Sequence, residues 1–316
     1  MRIGIAGAGG ISDTHARAAS HIAGVDVVAV HGSNLAKARA VAGSAGTSPA
    51  VYGEYSEFLA HPMDVVAIGS PSGLHADQAI AAVRRGLHVI VEKPLDISTA
   101  KIDALLEEAD RARVQVGVFF QERLLPELVA MKEALATGAI GEPVFASGTV
   151  RWYRPPEYYA SSRWRGTWAL DGGGALMNQG IHTVDALIWL MGPVVRVSGR
   201  TATRLHKIEV EDSAMALLEF ASGALGSIEA TTAAHPGFPR RIAISGTRAS
   251  MFHEDPPRAA AVSDAAPHRR VLEDFLDAVR TGRPPACDGV EGRRSVAVVE
   301  AVYRSARSGR TEEIVT

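Results

Sequence analysis

The sequence predicts an α/β protein: an N-terminal doubly wound parallel sheet, then an α+β domain on an open, mostly antiparallel sheet. Up to about Phe120, short continuous apolar runs alternate with segments of helical periodicity, the pattern of strands covered on both faces. Beyond it, longer runs of strand character follow one another without intervening helices, and Ala221-Ser222-Gly223 reads as a hairpin connection. A chain of 316 residues is also long for one core, so two domains are expected, 1–120 and 121–316, with the last helix free to pack back on the first.

In the first half the expected strands are Ile3–Ala6, Val25–Val30, Val65–Ile68, His88–Val91 and Val114–Phe120. Helices are expected near Leu35–Ala42, His75–Arg85 and Thr99–Arg113, with Ser98 capping the last and Gly86 ending the one before it. In the second half, helices are expected over Pro126–Thr137 and Leu176–Met191. The strands follow at Val194–Arg204, Ser213–Phe220, Ala224–Thr232 and Arg241–Ser245, and two helices close the chain, Val271–Thr281 and Arg293–Ser308. The stretch Pro256–Pro267 reads as an exposed loop. One broad face of the second sheet needs a cover, which predicts a homodimer or homotetramer through that sheet.

Composition narrows the function. The net charge is −2, without a basic block, so the electrostatic footprint of a nucleic-acid binder is missing. No run approaches the roughly 18 apolar residues of a membrane span, and neither a signal peptide nor a disulfide framework is expected with one cysteine, Cys287. A cytoplasmic protein is expected.

The strand at Ile3–Ala6 runs into Gly7, Gly9 and Gly10 and then a helix starting with Ile11. Strand, glycine turn and helix in that order are what a dinucleotide pyrophosphate requires. Gly7 permits the tight turn, Gly9 lets the backbone approach the phosphates, and the helix N-terminus offers unpaired N–H groups. Ser12 stands at the third glycine position, small enough for close packing. About 20 residues on, where NAD sites carry an acid, the chain reads His31-Gly32-Ser33-Asn34. Ser33, Asn34 and Lys37 at a helix start suit a 2′-phosphate, so NADP is preferred over NAD, although Ser33 and Asn34 could simply cap that helix.

Two loops lie at strand carboxyl ends, the ligand side of such a sheet. One holds Ser70, Pro71, Ser72 and His75; the other is Glu92-Lys93-Pro94 in VIVEKPL. A lysine there suits a general acid/base, because burial and a nearby cationic ring favour the neutral amine. Pro94 restricts Lys93 and can adopt a cis bond that fixes its direction. His75 is as readily a packing group as a cofactor neighbour, and His15 reads as structural. Farther on, Asp171-Gly172-Gly173-Gly174 opens a helix in which Asn178, His182 and Asp185 share one side. The glycines would let that helix crowd against a ligand.

Taken together, the glycine loop with His15, SPSGLH, EKP and GGG…N-x-x-x-H resemble the Gfo/Idh/MocA family, and the likeness extends over nearly the whole chain. The resemblance implies a Rossmann domain, an NAD(P)-dependent oxidoreductase and a sugar, cyclitol or sugar-derivative substrate. It makes Lys93 the family's catalytic lysine of EKP and His182 the histidine of its D-x-x-x-H motif. Here Asn178 replaces the aspartate. An amide orients a hydroxyl but exchanges no proton at neutral pH, which puts any carboxylate partner for His182 in doubt. The NQGIH variant is similar to the branch that handles nucleotide-linked or acidic sugars, and HGSN-x-x-K to the NADP-dependent pattern. No metal is implied.

Six aromatic residues stand between 152 and 168, interleaved with Arg151, Arg154, Arg163 and Arg165. Flat rings such as Tyr153 and Trp164 suit the C–H faces of sugars, and Arg163 and Arg165 suit an anionic group. Gln121 and Arg123, just after the last parallel strand, are further substrate-side candidates. Two other readings stand beside the enzyme: a nucleotide-binding regulator without turnover, as in the family's galactose-pathway repressor, and a reductase or dehydrogenase of a non-sugar substrate.

Overall fold

A computed structural model of the chain describes residues 1–255 and 264–314. Backbone contacts divide it into two compact units, Met1–Gln121 with Ala260–Gly292, and Glu122–Ala259 with Arg293–Thr316.

The first unit alternates strand and helix: β1 (Arg2–Ala6), α1 (Gly10–Ser20), β2 (Asp26–His31), α2 (Leu35–Gly43), β3 (Ala50–Tyr52), α3 (Tyr55–Ala60), β4 (Val65–Ile68), α4 (His75–Val83), β5 (His88–Val91), α5 (Thr99–Ala112) and β6 (Val116–Val118). The strands form one sheet in the order β3-β2-β1-β4-β5-β6. Every pairing in it is parallel. Strand order reverses between β1 and β4, and that switch point opens a crevice at the carboxyl ends. Ile3, Ile5, Val65, Ile68, Val89 and Ile90 have no solvent exposure above 1%, as a sheet covered on both faces requires.

Three details depart from expectation. Short β3 and α3 have too few apolar residues to show periodicity, and the strand expected over Val114–Phe120 contracts to β6. Ser98 precedes α5 but makes no side-chain cap; its N–H donates to Asp96 Oδ1 at 3.2 Å instead. Gly86 does take the left-handed conformation after α4, at φ 75°.

The second unit begins with α6 (Pro126–Ala136), β7 (Pro143–Arg151) and α7 (Pro156–Ala160). A π-helical segment, Ala175–Gly180, leads into α8 (Ile181–Met191), so the helix expected over Leu176–Met191 is not uniform. The strands are β8 (Val194–Ala202), β9 (Ser213–Phe220), β10 (Leu225–Thr231), β11 (Arg241–Gly246) and β12 (Ser250–Glu254). Then come α9 (Ala266–Thr281), α10 (Gly289–Ser308) and the short β13 (Glu312–Glu313). α9 belongs to the first unit, where it packs on α1. Of the expected loop Pro256–Pro267, residues 256–263 lie outside the described residues, and the chain is already helical at Ala266.

The second sheet runs β12-β11-β7-β10-β9-β8-β13. It is antiparallel except where β7 and β10 pair in parallel. Its strands alternate: Ala214, Ala216, Leu218 and Phe220 of β9 are buried while Met215 and Leu217 face out. α8 covers the inner face. A Cβ at Gly148 of β7 would meet Thr183 Cγ2 at 2.4 Å and Leu187 Cδ1 at 2.9 Å, so glycine lets the helix approach. No described helix is long and apolar enough to cross a membrane.

Candidate active site

At the switch point of the first unit, Gly7 has φ 127°, and a Cβ there would stand 2.7 Å from the Gly69 carbonyl oxygen. Only glycine allows the turns after β1 and β4 to close on each other. Ser12 does the work of the third glycine, its hydroxyl reaching Gly69 O at 3.4 Å. By contrast, Cβ atoms on Gly9 and Gly10 would meet nothing within 4 Å. The backbone there faces open space at the N-terminus of α1, beside Ile11, which is the cradle a pyrophosphate needs. The residues present therefore fit a dinucleotide.

At the second strand's end, Asn34 Oδ1 accepts the Lys37 N–H at 3.0 Å, so Asn34 caps α2. Ser33 and Lys37 remain exposed. His31 occupies the position of the missing acid and packs edge-on to Tyr55, at 5.1 Å.

Lys93 is half-buried directly after β5, before a cis peptide bond to Pro94. Its backbone N–H donates to the carboxylate of the preceding Glu92 at 3.2 Å. That carboxylate is buried and takes two imidazoles on one oxygen, His15 Nε2 at 2.9 Å and His268 Nε2 at 3.3 Å. Burial alone would raise the Glu92 pKa, but the two histidines overcome it and hold the carboxyl well below the usual range. Burial pushes the His15 pKa down, against the pull of Glu92, and its ring stacks on Phe119 at 4.3 Å. The same three side chains could offer ligand atoms to a metal, all within 4.8 Å of one another. A metal-bound imidazole donates its other N–H to an acceptor; among the described residues neither His15 Nδ1 nor His268 Nδ1 has a hydrogen-bond partner. The cluster is a hydrogen-bonded clamp.

His75 clamps from the other side. Its Nδ1 lies 2.8 Å from Pro94 O and its Nε2 2.8 Å from Ser70 O. With both nitrogens on backbone carbonyls and the ring buried, His75 braces the two loops, the packing role that its position allowed. Ser70 Oγ donates to Gln78 Oε1, whereas Pro71 and Ser72 form the turn into α4. Gln121 closes the unit with its Oε1 buried and, among the described residues, without a hydrogen-bond partner.

In the second unit, His182 is nearly buried on α8, with Nδ1 3.9 Å from Glu122 Oε1. Glu122 pairs with Arg240, Arg240 donates to Asp255 Oδ1 at 2.8 Å, and His253 Nε2 lies 3.1 Å from that same oxygen. A carboxylate therefore does stand beside His182, supplied from another element than the motif. Asn178 Nδ2 donates to Asp171 Oδ1 at 2.6 Å, and Asp171 Oδ2 accepts the Gly166 N–H at 2.8 Å.

Two expectations fail here. Arg123 is buried and bidentate to Asp185, at 2.8 and 2.6 Å, with Ser295 Oγ on the same carboxylate. It ties the start of the unit to α8, its guanidinium occupied by that carboxylate where a substrate contact was expected. Gly173 and Gly174, expected to let the helix crowd against a ligand, instead crowd against the chain's own residues. A Cβ at Gly174 would lie 1.7 Å from the Glu211 carbonyl oxygen, and one at Gly173 2.1 Å from Tyr303 Oη. The Glu211 carboxylate accepts the Gly174 and Leu176 N–H groups and the Tyr303 hydroxyl, all within 2.9 Å. The helix start is capped by the chain itself. Arg163 is exposed, Tyr153 packs edge-on to His235 at 4.8 Å, and Arg165 lies over the Trp164 ring at 5.2 Å.

Three family models match in series: "Oxidoreductase family, NAD-binding Rossmann fold" over residues 1–120, "GFO/IDH/MocA C-terminal domain" over 128–252, and "Oxidoreductase family, C-terminal alpha/beta domain" over 263–314. D-xylose 1-dehydrogenase (NADP(+)) 2 of Haloferax volcanii is 30% identical over 99% of this chain and 100% of its own. The chain belongs to the Gfo/Idh/MocA family. It is an oxidoreductase with an NAD-binding Rossmann domain. Myo-inositol 2-dehydrogenase of Thermotoga maritima is 27% identical, each chain covered in full. The WlbA dehydrogenase of Bordetella pertussis, solved in complex with NADH and UDP-GlcNAcA, superposes with a TM-score of 0.92 at 32% identity, over 100% of this chain and 98% of that one.

Within this Gfo/Idh/MocA chain, sequence reasoning overlooked Glu122, Arg240 and His268. The signal available for Glu122 was a Glu-Arg pair straight after the apolar run ending at Phe120; charged residues there are paired or exposed. Nothing in spacing points to His268 or Arg240, whose partners are remote in sequence.

Proposed function

We propose that the protein transfers a hydride between NAD(P)(H) and a hydroxyl or keto carbon of a nucleotide-linked, acidic sugar. The observation carrying this reading is the full-length likeness to Bordetella WlbA, a dehydrogenase crystallised with NADH and UDP-GlcNAcA. Other relatives are named for inositol and xylose, so the broader substrate class is sugars and cyclitols.

When bound, the dinucleotide accepts or supplies the hydride at its nicotinamide ring. The chain manages the proton and the orientation. As the alcohol is oxidised, its O–H proton passes to the amine of Lys93; in reduction Lys93 returns it to the carbonyl oxygen. The clamp from Glu92 and His75 fixes the backbone on both sides of Lys93, so its side chain works from a rigid base. His182, beside Glu122, assists the proton transfer, and Asn178, held by Asp171, orients a substrate hydroxyl. Gln121, with its unpartnered Oε1, is a further substrate contact.

The reading includes NADP as a preferred cofactor, supported by the exposed Ser33 and Lys37 and by the lack of an acid after β2. It also includes a homodimer or homotetramer through the outer face of the second sheet, where Phe145, Leu217, Leu225 and Phe252 are exposed. A cytoplasmic location agrees with the single buried cysteine.

Cofactor absorbance with UDP-GlcNAcA, UDP-glucuronate, myo-inositol and xylose, each with NAD and NADP, tests the proposal. Turnover should be greatest with a nucleotide-linked acid. Binding of the dinucleotide without turnover on any sugar would support a regulator instead.

A further inference from the structure

We infer that Arg154 and Arg165 form an oxyanion clamp around Tyr158 that takes the diphosphate or carboxylate of the substrate. The inference rests on the function proposed above and names the side chains that read its charge.

The Arg154 guanidinium lies 5.1 Å and that of Arg165 4.7 Å from the centre of the Tyr158 ring. Trp152 backs the first at 5.3 Å and Trp164 the second at 5.2 Å. Each cation has one neutral hydrogen-bond partner: Arg154 donates to Gln179 Oε1 at 2.9 Å, and Arg165 to Ser161 Oγ at 3.2 Å. Among the described residues neither pairs with a carboxylate, and both Nε atoms are buried without an acceptor. The unit is not short of acids, since Arg123, Arg151, Arg196 and Arg240 all have one. Two guanidiniums at one ring repel each other, and ring faces compensate only part of that. A planar fork with free donors matches a carboxylate or phosphate, which would neutralise the pair.

The clamp is also connected to the reacting end. Gln179 Nε2 donates to both Tyr158 Oη and Asn178 Oδ1, at 2.9 Å each. The residue proposed to orient the sugar hydroxyl is therefore one side chain away from the cation pair. Arg154 was not among the candidates read from sequence, and Arg163, which was, stays exposed.

The test is steady-state kinetics of Arg154→Met and Arg165→Met, with Arg154→Lys and Arg165→Lys as charge-retaining controls. Either methionine variant should raise KM for UDP-GlcNAcA about 10- to 100-fold, the loss of one charge-assisted contact. Cofactor KM and the melting temperature should stay near wild type, and the lysine variants should recover part of the loss. UDP and glucuronate as competitive inhibitors separate the two oxyanions: the one whose inhibition weakens in step with KM is the group held. Unchanged KM in both methionine variants, or an equal loss for uncharged myo-inositol, would overturn the clamp. If wild-type enzyme does not turn over any nucleotide-linked acid, the proposed function fails. The clamp is then judged by calorimetric titration of UDP and glucuronate, where binding that both methionine variants abolish upholds it and binding they leave intact refutes it.

Discussion

Lys93 sits between two buried histidine devices, one acting on the residue before it and one on the residue after it. Glu92 is the more sensitive of these supports. Its carboxyl is held well below the usual 4.5, so its ionised form stabilises the fold above that pH, and the contribution is lost as pH falls below it. Glu92→Gln should therefore cost about 2 kcal/mol near neutrality, and the gap to wild type should close on acidification below about 4.5. Melting temperatures of both proteins across the acid range check this; a gap independent of pH would contradict the ionised clamp. Of these residues, Glu92 and Lys93 were legible because they follow an apolar strand in one short motif. His268 was not, since its partner lies far away in sequence, and no local spacing encodes a hydrogen bond made between α1, β5 and α9. His182 was legible from its helix; Glu122 beside it was not. The missing motif acid at Asn178 led to the expectation of a histidine without a carboxylate, and the fold places one there from a different segment.

At the level of elements, two turns are shaped by a close approach, one after β1 and one leading into the π-helical segment before α8. Gly7 closes on Gly69, and Gly174 closes on Glu211. Both approaches are against backbone, which cannot rotate away, and the one at Gly174 is the tighter. Gly174→Ala should destabilise the second unit by about 3 kcal/mol, seen as an earlier urea midpoint, while dinucleotide affinity, a property of the first unit, stays near wild type. A shift too small to measure would mean that the helix start has room to move. The βα alternation was readable in the first unit, except at the short β3 and α3, because continuous apolar runs and helical periodicity are strong signals. β7 escaped notice because its inward positions are Ala146, Gly148 and Val150, too small to show hydrophobic alternation. Gly148 among them has no side chain where Thr183 and Leu187 of α8 pack. The π-helical turn before α8 changes the residue spacing without changing composition, so it too was invisible.

For the molecule as a whole, the outer face of the second sheet carries several exposed apolar side chains that no described element covers. Leu225 is in register with Phe145, and Leu217 and Phe252 are each more than half exposed. Salt bridges Arg196–Glu219 and Arg151–Glu229 lie on the same sheet. Such a patch predicts self-association. Light scattering should give a mass that is a multiple of 33.3 kDa, and Leu217→Glu should reduce it to 33.3 kDa with the fold intact. A wild-type monomer at micromolar concentration would remove the argument. The change from alternating elements to successive strands was legible in the sequence. That α9 returns to the first unit was less so, because a helix's packing partner is not written in its own periodicity.

The proposed hydride transfer depends most on the amine of Lys93, the group proposed to move the substrate's proton. Replacing Lys93 with methionine keeps the length of the side chain and removes its base. The decisive measurement is single-turnover hydride transfer in Lys93→Met, followed by cofactor absorbance beside a direct titration of the dinucleotide. The rate should fall by about 10²- to 10⁴-fold while dinucleotide affinity stays near wild type. A rate close to wild type, or a loss of cofactor binding equal to the loss of rate, would contradict the role assigned to Lys93.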